Sequence, residues 1–303
     1  MFHVLGRSIL LWLWAIGGMA QCLDHVRLGS WNTKHLGRDN FAYREASALL
    51  ANLDLIALQE VNTTPAGRQA LLALQQALVQ RTKDNWCSII SPVPSGARER
   101  YAFLWRESAV AFGQRAEDLQ QASCPRAAES AALQITHEAA IVREPAGAYF
   151  YAKEDQRFFY LASIHLVPTA KKPEREVPFL WQSMEATRGP QAIVALVAGD
   201  FNLASTHPSF KVWRDHHWAA ALPGKVKTSL KQKQKAFSQA YDNVWWKDEE
   251  NGCQMSYQVI NPYLIFPEKS APEIYRVLSD HAPIAVYYRS VTPPQVPDPG
   301  EEK

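Results

Sequence analysis

The run IVALVAGDFNLAS, from Ile193 to Ser205, constrains the fold more than any other stretch of the chain. An apolar segment of this kind is a strand buried on both faces. It stops abruptly at Gly199, Asp200, Phe201 and Asn202. Taken alone, GDFN reads equally as a turn, because glycine, aspartate and asparagine are turn formers. The same ending, apolar run then polar side chain, recurs along the chain.

Strand-like segments are HVRLGSWN, LDLIALQE, NWCSIIS, RYAFLWR, VAFGQ, AAIVRE, RFFYLASIHL, YDNVWW and APIAVYY. Ala42, Ala46, Leu49, Leu50 and Leu53 recur with helical spacing, and Thr64 followed by Pro65 starts a second helix through QALLALQQALVQR. Further helices are expected at residues 178–188 and 208–216. Strands and helices mix without a strict βαβ rhythm, which predicts an α/β fold of two sheets packed face to face with helices outside.

Several strands end in residues suited to phosphate chemistry. Asn32 follows GSW, Glu60 follows IALQ, Glu99 stands beside RYAFLWR, and His165 ends ASIH. Asp200 and Asn202 lie in GDFN, Asp242 opens DNVWW, and Asp280 with His281 sits in LSDHAPI. Each has a bland account: a lone glutamate after a strand is usually solvated, and a lone histidine is often a satisfied, partly buried ring. Strand-end loops share one edge of a sheet, however, so these groups can converge. Four or more converging carboxylates repel one another unless a cation sits among them. Hard oxygen donors favour magnesium, with manganese or calcium as alternatives, over zinc.

Charge narrows the partners. The 303 residues carry 32 Lys+Arg against 30 Asp+Glu, a formal net charge of +2, so the chain is no polycation. Binding to nucleic acid then needs a local basic patch. GKVKTSLKQKQKAF supplies one, with Lys225, Lys227, Lys231, Lys233 and Lys235 just ahead of Asp242; the alternative is a solvated loop. Arg98 and Arg100 flank Glu99, and Lys171 and Lys172 follow the His165 strand.

The N-terminus has the layout of a secretory signal peptide: Arg7, the apolar SILLWLWAIGGMA, and small residues at Gly18 and Ala20, with cleavage expected after Ala20. The stretch is shorter than the ~20 apolar residues of a spanning helix. Cys22, Cys87, Cys124 and Cys253 survive cleavage, an even number in an oxidising compartment. Three pairings are open. No CxxC spacing is present, which argues against zinc. The expected organisation is a signal peptide over 1–20, one catalytic domain over 21–290 and a disordered proline-rich tail over 291–303.

The ordered set resembles the endonuclease/exonuclease/phosphatase superfamily, and within it most closely deoxyribonuclease I-like nucleases. QEV at Gln59 to Val61, RERYAFLWR at Arg98 to Arg106, AYDN at Ala240 to Asn243 and SDHAP at Ser279 to Pro283 carry the likeness. GDFN and SDH are shared across the superfamily, whereas Glu-Arg-Tyr before an aromatic strand is particular to the deoxyribonuclease branch. The resemblance implies a four-layer α/β/β/α sandwich of two packed mixed sheets. It implies an exported, metal-dependent endonuclease acting on DNA, with Glu60 as principal metal ligand, Asn32 beside it and Asp280 close by. His165 pairs with Glu99 and His281 with Asp242, one imidazole helping to deprotonate water and the other protonating the leaving oxygen. Asp200 and Asn202 hold the nucleophile, the scissile phosphate or a second cation. Arg98, Arg100 and the lysine segment bind substrate. Two positions depart from the pattern: Asn62 and Ala97 stand where the relative carries an arginine and a tyrosine that enter the minor groove. Alternatives are a phosphodiesterase or phosphatase acting on a phospholipid or inositol phosphate, and a non-catalytic binding module of the same fold.

Overall fold

The computed structural model describes residues 22–93, 98–113, 124, 134–135, 139–187, 194–248 and 253–290. The expected signal peptide, the expected tail and Ala97 lie outside the described residues. Along the chain run β1 (Arg27–Leu36), α1 (Tyr43–Leu50), β2 (Leu55–Asn62), α2 (Pro65–Thr82), β3 (Trp86–Ile90), β4 (Glu99–Arg106), β5 (Val110–Phe112) and β6 (Gln134–Ile135). They are followed by β7 (Ala146–Ala152), β8 (Arg157–His165), α3 (Val177–Thr187), β9 (Val194–Asp200), α4 (Lys211–Asp215) and β10 (Ala219–Ala220). The last elements are β11 (Asp242–Asp248), β12 (Cys253–Val259), α5 (Pro262–Ile265), α6 (Ala271–Val277) and β13 (Ile284–Ser290).

One sheet has six strands in the order β12-β13-β1-β2-β4-β3. The other has seven, β10-β11-β9-β8-β7-β5 with β6 also paired to β7. Both are mixed: β1 runs parallel to β2, and β8 parallel to β9, among antiparallel neighbours.

Strand periodicity explains the layers, because alternate side chains face opposite sides. Leu55 and Ala57 of β2, Phe103 and Trp105 of β4, Phe159 and Leu161 of β8, and Leu196 and Ala198 of β9 meet in a core between the sheets. The intervening Ile56, Leu58, Ala102 and Leu104 face outward onto Leu49, Leu50, Leu71, Leu74 and Leu78 of α1 and α2. On the other side Tyr160, Ala162, Ala195 and Val197 meet Leu180 and Met184 of α3 and Trp213 of α4. Four layers, α/β/β/α, result, as expected. Continuous apolar runs are therefore needed in the central strands, since each is covered on both faces.

One sequence expectation needs correction, and two strands were not expected. AAIVRE, residues 139–144, is not a strand but a turning segment. Glu176 takes the Val142 N–H at 2.8 Å and the Val167 N–H at 2.9 Å, and Arg143 reaches the Leu166 carbonyl at 2.9 Å, so the segment serves as a bracket instead of a ladder. Strands β7 and β12 carry no clear sequence signal. In β7, Ala146 and Gly147 dilute the apolar run, and a Cβ on Gly147 would lie 1.9 Å from the Tyr160 hydroxyl. β12 is an edge strand whose side chains are mostly partly or fully exposed, so burial left little hydrophobic pattern in it.

Two disulfides, Cys22–Cys253 and Cys87–Cys124, tie the fold together. No helix among the described residues is long and apolar enough to cross a membrane.

Candidate active site

Strand direction brings the polar residues to one edge. Asn32 and Glu60 stand near the C-terminal ends of the parallel pair β1 and β2, while Glu99 opens the antiparallel β4, where it pairs with Asn62. In the facing sheet the backbone of His165 on β8 pairs with Asp200 on β9, and Asp200 pairs with Asp242 at the start of β11. Three candidate site residues thus lie in one row across three strands. Gly199 permits that row: its φ is +153°, and a Cβ there would approach the Ile164 carbonyl oxygen to 1.9 Å.

Irregularities in the ladders aim Glu60. The β1–β2 register passes from Asn32↔Gln59 to Leu36↔Val61, and the β2–β4 register shifts between Leu58 and Val61. Glu60 sits in both bulges with φ +57°. Bulges re-aim a side chain at the expense of the ladder and cluster beside active sites. Below them, the buried Gln59 amide donates to Ser163 Oγ at 2.8 Å, linking the sheets under the site.

Asp200 is the hub. Its Oδ2 accepts from Asn32 Nδ2 at 3.1 Å and faces the Nε2 atoms of both His165 and His281 at 3.5 Å. Its Oδ1 accepts the Asn202 N–H at 2.9 Å. Each imidazole is held from behind by a carboxylate: His165 Nδ1 lies 2.7 Å from Glu99 Oε1, and His281 Nδ1 lies 2.7 Å from Asp242 Oδ2. Such a carboxylate fixes tautomer and orientation and supports the imidazolium. Both pairings are those expected from the sequence.

Electrostatics follow from burial against charge. Burial opposes a proton on His281, but Asp242 and Asp200 outweigh it and lift the pKa to about 10. His165 shows the same balance in milder form: burial lowers it, and Glu99 and Asp200 raise it above the ordinary imidazole value. Burial likewise resists ionisation of Asp200, yet His281, His165 and the Asn202 and Asn32 donors hold its carboxyl below the usual range. Burial pushes the Asp242 carboxyl up, against the pull of His281 and Thr228.

The remaining expected residues are placed as follows. Asn32 Nδ2 donates to Glu60 Oε1 at 3.0 Å. Asp280 accepts from the Tyr275 hydroxyl at 3.4 Å and stands 3.8 Å from Lys34 Nζ. Asn202 donates through Nδ2 to the Leu166 carbonyl at 2.9 Å. Arg98 is exposed, and Arg100 donates to the Thr63 carbonyl at 3.3 Å. Lys225, Lys227, Lys231, Lys233 and Lys235 are all exposed. Their segment is laced to the site: Thr228 Oγ1 donates to Asp242 Oδ2 at 2.6 Å, Ser229 bridges to His281, and the Leu230 N–H reaches the Asp280 carbonyl at 2.6 Å.

Residues that the sequence did not announce complete the frame. The Tyr101 hydroxyl donates to the Arg143 carbonyl and accepts the His165 N–H, both at 3.2 Å. Its full burial pushes the phenol well above its ordinary pKa, so it remains a neutral strut. Arg143 Nε stands 3.7 Å from Glu99 Oε2, behind the His165 pair. Thr228 had no signal beyond its place among lysines.

The donor set fits a hard divalent cation. Glu60, Glu99 and His165 offer atoms within 4.8 Å of one another, as do Asp200, Asp242 and His281. Asp242 Oδ1 is buried without a hydrogen-bond partner among the described residues, an acceptor left open. Carboxylates and an asparagine beside one another match magnesium, manganese or calcium better than a thiophilic metal.

The chain is similar to several known proteins. A deoxyribonuclease of Thioalkalivibrio sp. (strain K90mix) is 26% identical over 311 aligned positions, covering 96% of this chain and 79% of the relative. Among solved structures, an endonuclease/exonuclease/phosphatase family protein from Bacteroides thetaiotaomicron superposes with a TM-score of 0.61 at 13% identity, over 88% of this chain and 98% of its own. A mannosyl-6-phosphatase from the same organism gives 0.58 at 14% identity, over 87% and 99%. The D. rerio TDP2 complex with a single strand DNA product gives 0.57 at 14% identity, over 88% and 99%. The family model described as Endonuclease/Exonuclease/phosphatase family matches residues 29–281, from the third residue of β1 to the second candidate histidine. The chain belongs to that family.

Proposed function

We propose that this chain is an exported, divalent-metal-dependent deoxyribonuclease that hydrolyses phosphodiester bonds with two carboxylate-supported imidazoles. The observation that carries the proposal is the approach of His165 Nε2 and His281 Nε2 to the same oxygen of Asp200, each at 3.5 Å. A phosphodiester needs an in-line water, neutralised phosphate charge and a protonated leaving oxygen. Two imidazoles around one carboxylate supply a proton acceptor and a proton donor on adjacent sides of one point. One imidazole takes the proton of the attacking water and the other protonates the leaving oxygen. Asp200 orients both rings, and Asn202 braces Asp200 through its backbone N–H. Glu60 with Asn32 and Asp280 holds magnesium or manganese, which supplies charge neutralisation at the phosphate when bound.

DNA is favoured as substrate by the lysine segment, whose Thr228–Leu230 stretch touches Asp242, His281 and Asp280 while Lys227 and Lys231 flank it exposed. That geometry delivers a polyanion to the catalytic edge. The deoxyribonuclease similarity points the same way. Export is supported by the signal-like N-terminus and by Cys22, bonded to Cys253 two residues after the expected cleavage point. A second reading keeps the chemistry and changes the substrate to a phospholipid or inositol phosphate. It is favoured by Asn62, whose amide oxygen accepts the Thr64 N–H at 3.0 Å. The amide oxygen is thereby engaged in starting α2, and the short side chain lacks the reach of an arginine.

A substrate panel tests the proposal: a duplex oligonucleotide, a single strand, RNA, phosphatidylinositol phosphate vesicles and p-nitrophenyl phosphate, each with magnesium or manganese. The proposal expects oligonucleotide fragments from DNA. Inorganic phosphate or a free headgroup as the main product transfers the chain to the second reading.

A further inference from the structure

We propose that His35 is a nitrogen ligand of the cation at Glu60 and tunes that site towards manganese over magnesium or calcium; the inference rests on the reading of Glu60 as a metal ligand. Between Asn32↔Gln59 and Leu36↔Val61 the strand β1 carries Thr33, Lys34 and His35 against Glu60 alone. The surplus loops out over Glu60. Lys34 has φ +50° and His35 has φ +64°, left-handed conformations that residues with a side chain hold only where their surroundings fix them.

The surroundings do fix them. Thr33 Oγ1 donates to the Gln59 carbonyl at 2.8 Å, and the Lys34 N–H donates to Asn32 Oδ1 at 3.0 Å. The Arg38 guanidinium donates to the Thr33 and Lys34 carbonyls. The outcome is an imidazole whose Nδ1 stands 3.3 Å from Glu60 Oε2, while Oε1 of the same carboxylate accepts from Asn32. His35 is not there to pack, because its side chain is 69% exposed.

The spacing distinguishes this pair from the two catalytic ones. Those are joined at 2.7 Å, the length of a charge-assisted hydrogen bond. At 3.3 Å the His35–Glu60 contact is longer. It comes near the separation of about 3 Å expected between neighbouring ligands of an octahedral ion that holds each at about 2.1 Å. Chemistry then sets the preference. All three ions suit oxygen ligands, but manganese alone among them is a first-row transition metal, and it accepts an imidazole more readily than magnesium or calcium does. One imidazole added to an oxygen set therefore favours manganese, whatever the contribution of Asp280.

The test uses the chain from Gln21 onward, titrated with manganese and with magnesium as the wild type, His35→Ala and Glu60→Gln. Manganese-loaded samples are also read by electron spin-echo modulation from directly bound nitrogen. The expected result is a nitrogen signal in the wild type that His35→Ala abolishes. The same variant loses about tenfold in manganese affinity and less than about threefold in magnesium affinity. A signal and affinity unchanged in His35→Ala, with manganese still weakened by Glu60→Gln, overturns the role of His35 and leaves Glu60 standing. Manganese affinity indifferent to Glu60→Gln removes the Glu60 site itself, and this inference with it.

Discussion

His165 ends strand β8 and His281 lies in the segment that leads into β13, yet their Nε2 atoms stand at the same distance, 3.5 Å, from one oxygen of Asp200. On the proposed function the two rings act through a shared carboxylate instead of as independent groups. Asp200→Asn is expected to slow DNA cleavage about 10³-fold, within the range for loss of positioned acid–base catalysis. Residues that work as a unit are non-additive. The double variant His165→Ala/Asp200→Asn should then be little slower than the worse single variant. Rates of plasmid nicking across the four proteins of the cycle give the answer, and simple multiplication of the two losses would refute the shared role.

Stability should carry the signature of the His281 proton. Its folded pKa, about 10, lies above the ordinary imidazole value of 6.5, so the folded state binds this proton more tightly than the unfolded chain does. The stabilisation is complete below about pH 6.5 and is lost as the pH rises towards 10. The raised pKa of His165 acts in the same direction. At the acid end Asp200, with its carboxyl lowered, contributes above its ordinary value of 3.8 and loses that contribution as the pH falls through the lowered value. In chelator, the melting temperature should fall by roughly 5 °C or more between pH 7 and pH 10. His281→Ala should flatten that alkaline fall; a slope identical to that of the wild type would show the proton to be elsewhere.

The lysine segment should govern affinity and leave the chemistry alone. Lys227 and Lys231 are exposed on either side of the stretch that touches Asp242, His281 and Asp280. Each phosphate contact contributes about 0.7–0.9 to the slope of log affinity against log salt. Lys227→Ala/Lys231→Ala should reduce the slope for DNA by roughly 1.5 and raise KM, with kcat and the hydrolysis of bis(p-nitrophenyl) phosphate unchanged. KM measured from low to moderate salt decides it, an unaltered slope meaning that the lysines are merely solvated.

The two disulfides should differ in weight. Cys22–Cys253 joins residues 231 apart in sequence, and Cys87–Cys124 residues 37 apart. On a chain-entropy account the longer closure contributes about 5 kcal/mol and the shorter somewhat less. Replacing Cys22 and Cys253 by serine should lower the melting temperature more than replacing Cys87 and Cys124. Parallel melts of the two double variants would reverse that order if strain or local packing dominated.

The candidate site was legible in the sequence because strand geometry makes it so. A strand covered on both faces needs a continuous apolar run, and the polar residue that ends it marks the sheet edge. Asp200 and His165 end such runs and Asp242 opens one, and the three share one row of the ladder. What the sequence did not disclose lies where function depends on departures from periodicity. The bulge of Lys34 and His35 over Glu60 has no pattern of its own. Thr228 is separated from Asp242 by 14 residues and hidden among lysines. Tyr101 and Arg143 act through long-range hydrogen bonds. Strand β12 escaped because an exposed edge imprints little hydrophobicity, and the segment 139–144 misled because apolar composition was mistaken for pairing. The disulfide pairing depends on three-dimensional proximity alone.

The most direct test is digestion of supercoiled plasmid by the chain from Gln21 onward, with magnesium, manganese or chelator, beside folded His165→Ala. The account predicts nicked circles that require the metal and form at least about 100-fold more slowly in the variant. Nicking that survives chelator or is undiminished in His165→Ala would contradict it, as would an absence of cutting with either metal.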